Sequence, residues 1–418
     1  MQTNLADLIK DTHEGREADA ILRTCVHCGF CLATCPTYQL LDDELDSPRG
    51  RIYLMKEVLE GQVATQKTQL HLDRCLTCRA CETACPSGVR YGRLVDICRN
   101  IVEKQVERSV KTKIVRYALR QILPNPSVFM VLLKIGQAVR SLLPKEIRGL
   151  VPSKARDAGI WPPARHKRKM LVLDGCVQPS IAPNINTAAA RILDKIGISL
   201  IKVKKESCCG AISYHLNAQQ EGLDYMRRNI DAWWPYCDNN VDHGVEAIVM
   251  TASGCGVTVK EYGNYLNHDH IYSEKAARIS ELTKDISEIL EHEVEQLTPL
   301  FNNVESCTKK SKLTFHSPCT LQHGLQINGV VESILTTAGF DLTFVQDSHI
   351  CCGSAGTYSI LQPKLSKQLL RNKIKILESD KPDQIVTANI GCLAHLQSGT
   401  PLIIKHWIEV LDEKLHNH

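Results

Sequence analysis

Cysteine is the residue most able to do chemistry in this chain of 418 residues, which holds 19 of them. Eight fall into two identical patterns. Cys25-Val-His-Cys28-Gly-Phe-Cys31-Leu-Ala-Thr-Cys35-Pro36 reads C-x-x-C-x-x-C-x-x-x-C-P, and Cys75-Leu-Thr-Cys78-Arg-Ala-Cys81-Glu-Thr-Ala-Cys85-Pro86 repeats it fifty residues later. Three thiolates at two-residue gaps wrap the backbone around one corner of a cubane four-iron four-sulfur (4Fe-4S) cluster. The fourth, followed by proline as the chain turns away, ligates the other cluster. This assigns Cys25, Cys28, Cys31 and Cys85 to one 4Fe-4S cluster, and Cys75, Cys78, Cys81 and Cys35 to a second. Zinc also accepts C-x-x-C, but two intact four-cysteine runs point to cubanes and to electron transfer. Cys98, outside both runs, reads as a small buried apolar side chain, and His27 as a group that can tune its cluster by hydrogen bonding.

Eight further cysteines form a second repeat, visible in element order rather than identity. In its first copy, residues 169–176 read as a buried strand ending in Cys176. A helix over 184–196 and a strand over 199–203 lead to Cys208-Cys209-Gly210, and a strand over 247–255 ends in Cys255. The second copy has a strand over 312–319 ending in Cys319, a helix over 330–338 and a strand over 341–345. Cys351-Cys352-Gly353 and a strand over 384–392 ending in Cys392 complete it. Cys176 to Cys208 spans 32 residues, and so does Cys319 to Cys351. Strands alternating with helices predict parallel sheets that gather ligands beyond the strands' carboxyl ends. Each half can thereby converge four soft sulfur ligands for a further iron–sulfur cluster or for zinc.

The elements that position these thiols set the domain plan. The fold expected is α followed by α/β. An all-α dicluster ferredoxin-like domain over 1–105, with a helix over 50–61 between the two runs, precedes a helical linker over 106–167. A first Cys-Cys-Gly domain over 168–305 and a second over 306–418 follow. The linker stretch 128–143 is apolar with Lys134 and Arg140 interspersed. It reads as packing against a partner subunit or the chain's own core, with an interfacial membrane helix as the alternative. Residues 275–292 read as a solvated, charged helix face.

Net charge is only +4, which gives nucleic-acid binding no electrostatic support. Asp7, Lys10, Asp11, Glu14 and Arg16 stand where a secretory signal needs an apolar stretch. The apolar run 128–133, closed by Lys134, falls far short of the roughly 20 residues that span a bilayer. The chain is expected to stay in the cytoplasm or on its membrane surface, its thiols kept reduced. No glycine-rich dinucleotide fingerprint follows a strand, so no flavin is expected in this chain.

Along nearly its whole length the chain resembles the iron–sulfur subunit of bacterial glycolate oxidase. The cluster loop 25–31, the stretch 47–56 (Ser-Pro-Arg-Gly-Arg-Ile-Tyr-Leu-Met-Lys) and Leu-Asn-Ala-Gln at 216–219 carry the likeness. So do Asp-Ala-Trp-Trp-Pro at 231–235, Thr-Ala-Ser-Gly-Cys-Gly at 251–256, Val-Lys-Glu-Tyr-Gly at 259–263 and Thr-Ala-Asn-Ile-Gly-Cys at 387–392. The resemblance implies flavin-containing partner subunits that oxidise glycolate to glyoxylate. Electrons would pass through this chain toward a quinone, and the isolated chain would be inactive on substrate. Anaerobic glycerol-3-phosphate dehydrogenase, D-lactate oxidation complexes and the catalytic heterodisulfide reductases share the plan and stand as alternatives. The chain departs from some family members, which end each motif with C-x-x-C and so supply five cysteines. Here those positions read Cys255-Gly-Val-Thr258 and Cys392-Leu-Ala-His395. Four cysteines per half leave a four-ligand cluster or zinc open. His395 can replace a thiolate or be a plain hydrogen-bonding residue, and His316 stands on the same footing.

Overall fold

A computed structural model describes residues 1–142, 151–155, 157–237, 244–302 and 311–416. The N-terminal part is helical. Thr12 caps the helix His13–Thr24 by accepting from the Gly15 N–H, and Ser47 does the same for Pro48–Leu59 through Gly50. That cap, with Pro48 in the first turn where its missing N–H costs nothing, starts the helix expected over 50–61 two residues early. A Thr65–Thr68 capping box opens Gln66–Asp73. These helices and Tyr91–Gln105 enclose a core including Ala18, Leu22, Met55, Leu72 and Leu94. Cys98 lies in that core, its thiol held well above the usual range by burial alone.

Two helices follow, Val110–Ile122 and Pro126–Ala138. The second buries no residue, so the apolar stretch from Val128 does not pack into the chain's own core. The end of that stretch, Leu143, lies outside the described residues, as does the 305/306 boundary.

Each Cys-Cys-Gly half is a four-stranded parallel sheet. The first is ordered β2-β1-β3-β4, with β1 Arg168–Val172, β2 Ile198–Lys202, β3 Ile248–Met250 and β4 Thr283–Asp285. The second is ordered β6-β5-β7-β8, with β5 Lys312–His316, β6 Asp341–Leu342, β7 Gln384–Thr387 and β8 Ile404–His406. Side chains alternate across each strand. Met170 and Val172 enter a core shared with Leu313, Phe315 and Val386, whereas Leu171 and Leu173 pack on the opposite face. The shared core joins the halves, and Arg191 clamps Asp412 across it, with Nε 2.9 Å from Oδ2.

Three expectations need correction. The cysteine-bearing strands stop short of their cysteines: β1 ends four residues before Cys176, and β5 ends at His316. Cys255 and Cys392 instead lie in the first turns of the helices Ser253–Lys260 and Ile390–Gln397. The charged stretch 275–292 is no single solvated face. It contains buried Ile279, Leu282, Ile286 and Leu290 and the edge strand β4, whose Asp285 caps the next helix through a capping box with Glu288.

Candidate metal centres

The two N-terminal cysteine runs fold alike. The third residue of each run has a left-handed backbone, His27 with φ 55° and Thr77 with φ 51°, and so has the fifth, Gly29 with φ 85° and Arg79 with φ 62°. Such loops turn successive N–H groups inward, as anion-binding nests do; the Thr77 N–H points to Cys75 Sγ at 3.4 Å. One cavity is lined by Cys25, Cys28 and Cys31 together with Cys85. Its neighbour is lined by Cys75, Cys78 and Cys81 together with Cys35, and Cys81 and Tyr91 border both. Each cavity thus receives three thiols from one run and at least one from the other.

The donors suit iron–sulfur cubanes. Burial, then the neighbouring thiols Cys25, Cys28 and Cys85, pushes Cys31 up to about 11. Burial raises Cys78 and Cys81 further. Four thiolates in a desolvated pocket are tenable only around a cationic core. Between the cavities the buried Tyr91 hydroxyl has no side-chain or backbone N/O partner at full hydrogen-bond geometry among the described residues and turns toward the Cys75 thiol, so its donor faces the second donor set.

Buried Arg51 escaped the sequence analysis, although it sits in Ser-Pro-Arg-Gly-Arg. It donates to Asp46 Oδ1 at 3.0 Å and to the Thr37 hydroxyl at 3.0 Å, and lies 3.9 Å from Cys35 Sγ. Asp43, Asp46 and His71 are close enough to share an ion. The Asp46 carboxylate, however, is already matched by Arg51 and by Arg74 at 2.7 Å, which identifies an ion-pair network. His27, by contrast, is exposed.

In each sheet the chain leaves the central strand in one direction and returns past it, so a switch point lies between β1 and β3, and between β5 and β7. Crevices form at the carboxyl ends there. Cys176 and Cys255 follow β1 and β3, with Cys208 and Cys209 beyond β2. These thiols adjoin in the order Cys176, Cys208, Cys209, Cys255. In the second half Cys319 Sγ is 3.8 Å from Cys351 Sγ, and Cys352 adjoins both Cys351 and Cys392. Gly210 at φ 90° and Gly353 at φ 91° make the doubling-back turns. A Cβ there would fall 2.6 Å from the Gly222 carbonyl oxygen and 2.8 Å from that of Ser366.

The histidines separate. His395 Nε2 lies 3.2 Å from the Ser366 hydroxyl. It is not in the metal-sized group of this half, which is His316 with Cys352 and Cys392. The helix that carries Cys392 aims His395 at its neighbour, whereas β5 aims His316 at the sulfurs. Burial holds the His316 imidazole neutral, down to about 3. Buried Lys373, also missed from sequence, donates to the carbonyls of Asp347 and Ser348 at 3.0 and 3.3 Å. Nothing local marks it, because a lysine in a helix is ordinarily solvated.

The sites are contiguous. Cys78 of the second run faces Cys319, and Leu76 packs with Cys351, Tyr358 and Leu369. On the other side, Arg79 makes a bidentate pair with Glu261 at 2.5 and 2.8 Å. A cavity of about 700 Å³ joins the second run's loop to both Cys-Cys-Gly crevices. At the far end Cys28 is exposed between Val26 and Phe30, which are 67% and 65% exposed.

Comparisons with known proteins agree with this layout. The 4Fe-4S dicluster domain family matches residues 21–89, and the Cysteine-rich domain family matches 170–260 and again 313–397. The "Glycolate oxidase iron-sulfur subunit" of Escherichia coli (strain K12) is 53% identical, covering 99% of each chain. The "Probable glycolate oxidase iron-sulfur subunit" of Bacillus subtilis (strain 168) is 29% identical over 94% of this chain and 92% of that one. A crystal structure of a hypothetical protein from Helicobacter pylori shares the fold with a TM-score of 0.53 at 9% identity, covering 96% of this chain and 72% of the other.

Proposed function

The chain belongs to the family of glycolate oxidase iron–sulfur subunits, and from that premise we propose that it carries electrons between a flavin-containing partner and a quinone. The partner oxidises glycolate to glyoxylate, a two-electron step, and iron–sulfur clusters pass such electrons one at a time. The ligands are Cys25, Cys28, Cys31 and Cys85 for one 4Fe-4S cluster and Cys75, Cys78, Cys81 and Cys35 for the other. Cys176, Cys208, Cys209 and Cys255, and Cys319, Cys351, Cys352 and Cys392, hold one further cluster or metal each.

One observation carries this reading: the cysteine sets form an unbroken series from exposed Cys28, through Cys81 between the two cavities, to Cys78 against Cys319. The apolar rim of Val26 and Phe30 offers the partner a docking surface where electrons enter. Beyond it the protein's part is to hold each donor set in place and exclude water. Contact with the inner membrane's cytoplasmic face is supported by the helices Val110–Ile122 and Pro126–Ala138. They expose Val110, Ile114, Val131 and Ile135, and residues 109–142 carry Lys111, Lys113, Arg116, Arg120, Lys134 and Arg140 without a single acid. Lys113 and Arg120 pair with Glu107 and Glu221 and Arg116 is buried, but an apolar face on a segment that itself carries only cations fits an anionic lipid surface.

The test is reconstitution. Pure, flavin-free chain should not reduce dye with glycolate, and activity should appear on mixing with flavin subunits. Glycolate-dependent reduction by the chain alone would refute the proposal. A second reading, thiol–disulfide chemistry as in heterodisulfide reductases, draws on the 700 Å³ cavity that faces both crevices; disulfide turnover by the chain alone would establish it.

A further inference from the structure

The two Cys-Cys-Gly crevices are built on one backbone plan but lined differently. The residue three before Cys319 is His316, and the residue three before Cys176 is Leu173. Opposite His316 across the strand pair stands Thr387; counting back equally from Cys255 gives Met250. An apolar pair in the first half is therefore a polar pair in the second. His316 is 2% exposed, and its Nδ1 lies 2.9 Å from the Thr387 hydroxyl. That bond orients the ring and leaves Nε2 for another partner, the arrangement by which metal-binding histidines are held. A ring nitrogen of His316 and the sulfurs of Cys352 and Cys392 all lie within 4.8 Å of one another, and all three residues are buried.

We propose that His316 is a metal ligand of the second half, a fifth donor through Nε2 beside Cys319, Cys351, Cys352 and Cys392, while the first half binds with four thiolates alone. The inference rests on the reading of both cysteine sets as metal or cluster ligands. A neutral nitrogen donor carries none of the negative charge that a fifth thiolate would bring. It therefore makes the site easier to reduce, as histidine ligation does in other iron–sulfur centres.

The test uses the full chain, prepared anaerobically with 15N-labelled histidine. If the second site holds iron, the reduced wild type should show a histidine nitrogen hyperfine coupling. If it holds zinc, absorption at the zinc edge should show imidazole scattering. Either signal should vanish in His316→Leu, which copies Leu173. The iron of the N-terminal domain, about eight atoms, reports that the variant has folded. Thr387→Val keeps the imidazole but frees the ring, and should weaken metal retention by roughly 10- to 100-fold. Wild type with neither signal, or a signal that survives in His316→Leu, overturns the proposal whatever the variants' stability. Cys352→Ser separates this inference from the reading beneath it. Metal lost there, with no histidine signal in wild type, sinks His316 alone; metal fully retained there sinks the cysteine site as well.

Discussion

The two Cys-Cys-Gly halves repeat a backbone and differ in what they place behind it. Both bring four cysteines to the switch point of a parallel sheet, and both turn on a glycine near φ 90°. Behind the sulfurs the first half has Leu173 and Asn229, the second His316 and Lys373. Asn229 and Lys373 match because each lies seven residues beyond the helix position packed under the turn glycine, Gly222 or Ser366. Asn229 Nδ2 donates to the Cys208 carbonyl at 3.0 Å; Lys373 brings a buried cation near Cys351 and Cys352. The halves also attach differently to the ferredoxin-like domain. Six residues past the Cys-Cys pair, His215 Nδ1 lies 3.2 Å from Asp96, whereas the Tyr358 hydroxyl donates to the Arg74 carbonyl at 3.1 Å. Backbone geometry is what places four sulfurs together, so duplication keeps it. The lining is free to diverge and to set what each site does.

Paired substitutions sharpen this contrast. The largest effect is expected from Cys209→Ser and Cys352→Ser, each of which should empty its own half of metal and spare the other. Metal analysis showing joint loss would mean that the halves are one site. Next is Arg51→Met, which leaves buried Asp46 with only Arg74 and His71 beside it and should destabilise the N-terminal domain by about 3 kcal/mol. Denaturation should register it, together with an altered spectrum of the cluster held by Cys35. Gly210→Ala and Gly353→Ala should each cost roughly 1–2 kcal/mol for the left-handed backbone alone, plus the carbonyl clash. Equal losses of thermal stability support a shared backbone plan, and a loss in one half only would break it.

Lys373→Met removes a cation beside the second site's sulfurs and should lower that site's midpoint potential in a redox titration. Asn229→Leu should leave the first site's potential nearly unmoved. The smallest effect is pH-dependent. Asp96 raises the His215 pKa against the opposing pull of burial, and the His215 partner lowers that of Asp96. The histidine's contribution is complete below about pH 6.5 and is lost as pH rises through its elevated folded value. The aspartate's is lost as pH falls through its depressed one. The His215 side chain is 37% exposed, so solvent screens the pair and the change should stay below about 1 kcal/mol. Relative to the intrinsic base-catalysed exchange rate at each pH, amide protection at Ala211–His215 should fall between neutral and alkaline pH, while protection around Tyr358 should hold.

Much of the fold was legible because its signals are local. Apolar runs between turn residues marked β1, β3, β5 and β7. The short edge strands β4 and β8 were not legible: Thr283–Asp285 and Ile404–His406 have three residues each, too few for periodicity to distinguish. The strand ends were overextended for a related reason. Ala-Ser-Gly-Cys and Asn-Ile-Gly-Cys continue an apolar run in sequence, but Ser253 and Ile390 already begin helices.

What the sequence by itself determined is the donor chemistry and its multiplicity. Cysteines at two-residue gaps, and Cys-Cys-Gly at equal distances from a preceding cysteine, are constraints written along the chain, since neighbouring thiols can reach one metal whatever the rest does. What only the tertiary structure decided is which distant groups meet them. His316 and His395 look equivalent in sequence, one three residues before a cysteine and one three after. Packing of β5 against β7 turns the first toward Cys352 and Cys392, and the helix Ile390–Gln397 turns the second toward Ser366. Arg51 and Lys373 likewise gain their roles from elements that meet only on folding, because charge and imidazole act through space and the spacing of residues along a chain does not record it.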